Sequence, residues 1–162
     1  MRVSNFLDEV LRVSRLDFVP AERQPTWTRC FVATLLAITG SLGADAAFVA
    51  LGKALFPKTV HYSHFQFWDY STLTVIGVLV ACAGWPVITR LSLTPTWIYF
   101  RLALLISFVL LAPDVYIWLV QDQITQGVFV LVWMHLAIGV VTYYCVTRIA
   151  PAGAANAERT RP

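Results

Sequence analysis

The sequence predicts an all-α membrane protein, a four-transmembrane-helix bundle preceded by an amphipathic cytoplasmic helix. Three observations carry that expectation. Long apolar runs lie near residues 30–55, 71–89, 97–120 and 127–148, and each approaches or exceeds the ~20 residues that cross ~30 Å of hydrocarbon as a helix. The 162-residue chain is 58% hydrophobic and 13% charged, well below the roughly 25% charged content of soluble domains. The basic residues are sorted: all ten arginines fall on one side of a four-span arrangement, and Lys53 and Lys58 fall on the other. Positive charge near short loops marks the cytoplasmic face, so both termini are expected there. A β-barrel is excluded because runs such as Ile98–Val120 are continuous and do not alternate.

The organisation follows from these runs. Residues 1–27 form an arm, residues 28–149 the bundle and residues 150–162 a flexible cytoplasmic tail without apolar periodicity. The acids Asp8, Glu9, Asp17 and Glu22 precede the first run, unlike a cleavable signal with a short basic start. The expected location is a bacterial inner membrane. The net charge of +3 reads as an orientation signal and headgroup contact, with no nucleic-acid footprint. Cys30, Cys82 and Cys145 all lie in spans and form no CxxC pair, so they read as packing residues.

In the arm, Phe6, Leu7, Val10 and Leu11 share one helical face. They are candidate lipid or partner contacts, in an interfacial helix or a partner-docking helix, with disorder as the remaining alternative. Pro20 ends any such helix at or before Val19. The first connection, Phe56–Asp69, is aromatic and suits the outer interface. His61, His64 and Asp69 are spaced as a weak metal set without a fourth ligand, so no metal and no other cofactor is expected. The second connection, Arg90–Pro95, is short; Pro95 suits a helix start, and Trp97 and Tyr99 are expected at the inner interface beside a snorkelling Arg101. The third, Gln121–Gln126, is a tight turn.

The chemistry lies inside the spans. Asp45, Asp114 and His135 are ionisable residues in the first, third and fourth runs, and an acid near a span centre costs ~2.5–3.5 kcal/mol on insertion scales. Helical rise places Asp114 about 9 Å, His135 about 14 Å and Asp45 roughly 10–16 Å from the outer ends of their spans. One layer can therefore hold all three. Ser41 lies one turn before Asp45, Ser107 two turns before Asp114, and Thr142 on the face of His135 and Gly139. Pro113 removes the usual partner of the Val109 carbonyl beside Asp114. Two readings remain open: a site for a proton, cation or small polar ligand, or hydrogen-bonded glue between helices. Small-residue pairs at 40/44, 43/47 and 77/81 allow close helix approach, within the bundle or toward another subunit.

The Asp45 span, the Pro113-Asp114 pair and the Trp133-Met134-His135-Leu136 stretch resemble the small four-span membrane proteins of unknown function found in actinobacteria. The resemblance covers residues 28–148, implies a plasma-membrane bundle and carries over no catalytic residue. There is no phosphate loop, nucleophile motif or facing histidine pair, and catalysis is not expected. The first expectation for function is an accessory or assembly subunit of a larger membrane complex. The alternative is a small oligomeric transporter or channel using Asp45, Asp114 and His135. The expected partners are membrane lipids and other membrane subunits or further copies of the chain.

The charge asymmetry makes a direct prediction. With cysteines placed at Ser63 and Thr160, an impermeant thiol reagent added to intact cells should label position 63 and spare position 160. The opposite pattern reverses the orientation.

Overall fold

In a computed structural model, residues 18–60, 62, 65–120 and 125–153 are described. They form four long helices: α1 (Trp27–Leu55), α2 (Phe67–Leu91), α3 (Pro95–Val120) and α4 (Thr125–Ile149). A 3-10 turn, Pro57–Thr59, follows α1. The helices hold 25 to 29 residues, and even 25 residues rise about 37 Å, enough to cross the bilayer core. All four are long and apolar enough to span a membrane. The bundle runs up, down, up, down. α1 packs on α2 and α4, α3 packs on α4 and α2, and α2 also meets α4 across the centre. Residues 1–17, with Phe6, Leu7, Val10 and Leu11, lie outside the described residues, as do His61 and His64.

The helix ends have local causes. Thr26 caps α1, its hydroxyl accepting from the Arg29 N–H. Pro57 stops α1, and Lys53 in its last turn faces the negative end of the helix dipole. Asp69 sits in the first turn of α2. Pro95 opens α3 just after Ser92 Oγ accepts from the Thr94 N–H at 3.0 Å. α3 runs on through Pro113. Two boundaries differ from the sequence expectation: Phe67, Trp68 and Asp69 already belong to α2, and Thr125 and Gln126 already belong to α4. Both loops are shorter than their polar and aromatic composition implies, because a first helical turn tolerates such residues at the membrane surface.

The inward faces are set by small and polar residues. α1 buries Ala33, Ala37, Ser41, Asp45, Val49 and Gly52, at spacings of three and four. α2 buries Ser71, Thr74, Val78, Cys82, Trp85 and Thr89. A Cβ on Gly52 would lie 2.9 Å from Val130, one on Gly40 3.0 Å from Val141, and one on Gly139 3.0 Å from Ser107. These contacts fix the registers of α1 and α3 against α4. By contrast, a Cβ on Gly43 or Gly77 meets nothing within 4 Å. The 43/47 and 77/81 pairs therefore do not pack the bundle together. The outward surface is apolar, with Leu73 73% and Phe108 70% exposed. Such a surface is a liability in water but matches lipid chains.

Two apolar clusters bracket the interior. One, toward the arginines, holds Ala33, Ala37, Val78, Cys82, Trp85, Tyr99, Val146 and Ala150. The other, toward the α1–α2 loop, holds Val49, Tyr62, Phe65, Val130, Leu131 and Met134. Tyr99 is buried against Trp85 at a centroid separation of 5.2 Å, so it is a core residue and not the interface marker expected from its place near the end of a span. Its hydroxyl donates to the Ala81 carbonyl, which satisfies the polar tip without water. Trp97 is half-buried, with the Arg101 guanidinium 3.6 Å above its ring. Cys30, Cys82 and Cys145 are free thiols within or against the arginine-end cluster.

Residues 18–24 close the arginine end. The N–H groups of Phe18 and Ala21 donate to the carbonyls of Leu91 and Thr89 at 3.1 and 2.8 Å. Gln24 donates to the Thr89 carbonyl and accepts from the Thr89 hydroxyl. These bonds satisfy carbonyls that the end of α2 would otherwise leave open. Arg23 and Gly153 pair through both backbone groups, so the segments flanking the bundle meet at one end.

The glycine contacts are testable. Gly52→Val drives two methyl groups toward Val130 and should destabilise the detergent-solubilised protein by about 1–3 kcal/mol. Gly77→Ala, in open space, should leave the thermal unfolding temperature near its original value. Equal effects from the two would overturn the α1–α4 register.

Candidate functional site

The interior between the two apolar clusters is polar, and each helix contributes to it. On α1, Asp45 is fully buried. Its Oδ2 accepts from the Thr74 hydroxyl of α2 at 2.6 Å, while its Oδ1 has no hydrogen-bond partner among the described residues. On α3, Asp114 is 3% exposed, and its Oδ2 lies 3.0 Å from His135 Nδ1 of α4. His135 is within electrostatic reach of Asp45 as well. Asp45, Thr74, Asp114 and His135 thus make one cross-section of the bundle. Within it Asp114 and His135 are in direct contact.

The Asp114–His135 pair is held in an unusual way. Nδ1 of His135 is 3.0 Å from the Leu131 carbonyl of its own helix and 3.0 Å from Asp114 Oδ2. Directed at Leu131, the Nδ1 proton leaves the Asp114 oxygen at ion-pair distance without a well-aligned hydrogen bond. The contact is an ion pair only when the imidazole carries two protons. About a quarter of the His135 side chain stays accessible (28%).

One helical turn toward the arginine end the interior remains polar. Ser41 Oγ and Thr142 Oγ1 are buried without partners, on faces of α1 and α4 brought together where Gly40 meets Val141. Ser107 lies at the α3–α4 contact against Gly139. Hydroxyls both donate and accept, so these residues extend the capacity for hydrogen bonds beyond the acid layer. A groove of about 340 Å³ lies on the outside of the bundle between α3 and α4, among Leu104, Phe108, Leu136 and Val140. Its walls are mostly apolar, with Ser107, Tyr143 and Tyr144 among them.

Three residues of the site were not foreseen. Thr74 supplies the one hydrogen bond to Asp45; Ser71 and Thr74, three apart in an apolar run, already marked that face of α2. Tyr70 is within electrostatic reach of Asp45. Tyr62, expected at the outer interface with the other loop aromatics, is 4% exposed and lies within electrostatic reach of Asp114. Burial first, and the Asp114 carboxylate second, push the Tyr62 phenol above its usual range. Asp69 is a first-turn residue of α2. Among the described residues no group of three or more His, Cys, Asp or Glu is placed to hold a metal ion.

Comparison with family models, curated proteins and solved structures finds no match for this chain.

Thr74→Val should lower stability in detergent by about 1–3 kcal/mol, because both Asp45 oxygens are then buried without a donor. Thr74→Ser keeps the hydroxyl and should restore most of the loss. Indistinguishable melting of the valine variant and the unmodified protein would show that the hydrogen bond holds nothing.

Proposed function

We propose that this chain is a small membrane carrier or channel for protons or a small cation. The observation that carries the reading is the cross-section of Asp45, Thr74, Asp114 and His135, supplied by all four helices. Ionisable groups are costly inside a membrane and mark ion pathways and proton relays. A purely structural layer favours paired groups, yet Asp45 Oδ1, Ser41 Oγ and Thr142 Oγ1 are buried with none. These oxygens are available to a proton, a water or a desolvated cation.

The geometry supports a short relay. When the imidazole carries two protons, the Nδ1 proton can turn from the Leu131 carbonyl to Asp114 Oδ2 across 3.0 Å, leaving a neutral imidazole and a protonated carboxyl. Asp45 lies within electrostatic reach of the imidazole. Ser41 and Thr142 continue the polar line toward the arginine end. There the cluster of Ala33, Ala37, Val78, Trp85 and Val146 closes it, so the bundle is shut at that end. In this reading the arginine end faces the cytoplasm of a bacterium, with the bundle in its plasma membrane.

The accessory-subunit reading keeps a specific observation of its own. Thr39, Gly43, Ala46, Ala47, Ala50 and Ala54 line an outward face of α1. Small side chains on such a face suit close packing with another membrane helix. The two readings converge if copies of the chain assemble through α1.

Reconstitution into liposomes under a pH gradient, followed with an internal pH dye and repeated with a panel of alkali cations, tests the proposal. Asp114→Asn and His135→Gln should each slow flux on the order of a hundredfold, the scale of a lost positioned proton donor or acceptor. Absence of flux in the unmodified protein, together with stable recovery in a larger complex, would decide for the subunit.

A further inference from the structure

Among the described residues of the α1–α2 connection, Tyr62 and Phe65 bury their side chains in the bundle. A chain of bonds ties Tyr62 to the end of α1: Thr59 Oγ1 donates to the Gly52 and Phe56 carbonyls at 3.2 and 2.8 Å, and the Tyr62 N–H donates to the Thr59 carbonyl at 3.0 Å. From that anchor Tyr62 turns inward among Val49, Phe65, Val130, Leu131 and Met134. Phe65 meets its ring edge-on at a centroid distance of 5.1 Å.

The first turn of α4 accommodates this ring. A Cβ on Gly127 would lie 2.9 Å from both Cδ1 and Cε1 of Tyr62. Only a residue without a side chain lets the ring lie against the helix there. The ring therefore packs between the end of α1 and the start of α4. In the same cluster is Leu131, whose carbonyl holds His135. Asp114 is near enough for its charge to act on the Tyr62 phenol. An aromatic ring with a polar tip is suited to this place: the ring excludes water, and the hydroxyl faces a charged interior.

We propose that Tyr62 is the gate separating the polar layer from solution at the α1–α2 loop end of the bundle. The proposal rests on the reading of that layer as a working site. With the ring in place the layer is shut at this end by Tyr62 and at the other by the cluster around Trp85 and Val146. Displacing the ring opens the route to Asp114 and His135 first, and leaves Ser41 and Thr142 behind them.

Accessibility tests this independently of transport. In a background carrying Cys30→Ala, Cys82→Ala and Cys145→Ala, a reporter cysteine is placed at Asp114 or at Thr142. A small water-soluble thiol reagent is added to the protein in detergent, and the rate of modification is followed by mass. Tyr62→Ala should speed modification at position 114 on the order of tenfold, the shift expected when a local closure worth about 1.4 kcal/mol is lost. Gly127→Ala, which pushes the intact ring aside, should act in the same direction, and Tyr62→Phe should keep the block. Position 142 should change little. Unchanged modification at position 114 in both the Tyr62→Ala and Gly127→Ala variants overturns the gate. Equal acceleration at 114 and 142 also overturns it, because that is general loosening of the bundle. Selective opening at 114 without flux in the unmodified protein would keep the gate and refute the transport reading.

Discussion

Hiding the Asp45 carboxylate from hydrocarbon sets the rotation of α1, and the arrangement of the other helices follows from that rotation. With Asp45 facing inward, Ala33, Ala37, Ser41, Val49 and Gly52 must face inward too, since they share its stripe. That stripe is narrow and nearly flat, so α4 can approach until Val130 and Val141 touch the α1 backbone at Gly52 and Gly40. The approach brings His135 into range of Asp45, and α3 docks on the same helix through Ser107 and Gly139 with Asp114 against the imidazole. One buried charge thus organises contacts that apolar packing alone would leave undirected, because lipid tails solvate leucine as well as another helix does.

The same fact explains what was legible in the sequence. The number of spans, their approximate ends and the depths of Asp45, Asp114 and His135 all follow from length and rise, quantities local to each run. Helix rotation is a different matter. In a soluble helix the apolar stripe points inward, but here Phe31, Leu35, Leu36 and Leu51 point outward while serine, aspartate, alanine and glycine are buried. Hydrophobic periodicity carries little information in such a helix. The polar and small positions mark the inward face, and they do so unequally: Gly40 packs on α4, whereas Gly43, three residues later, faces open space.

Contacts between elements distant in sequence were not legible for a related reason. Thr74 is an unremarkable hydroxyl until α2 lies beside Asp45. Tyr62 reads as an interface aromatic until Gly127 provides a place for its ring. Tyr99 sits at the depth where aromatic residues favour headgroups, yet a neighbouring tryptophan and a reachable carbonyl draw it into the core. Each case turns on a partner in another helix, which no window along one run contains.

The strap at the arginine end bears on how the protein is made. Phe18, Ala21 and Gln24 leave the ribosome before α1, but the carbonyls they bind belong to Thr89 and Leu91. Arg23 must wait longer still, since Gly153 follows the last helix. At elongation rates of roughly 5–20 residues per second, this segment spends several seconds without its native partners while the spans insert one after another. The earliest part of the described chain to be synthesised is therefore among the last to be fastened. Of the bonds in this segment, the Arg23–Gly153 pair is the one that cannot form until α4 has been made.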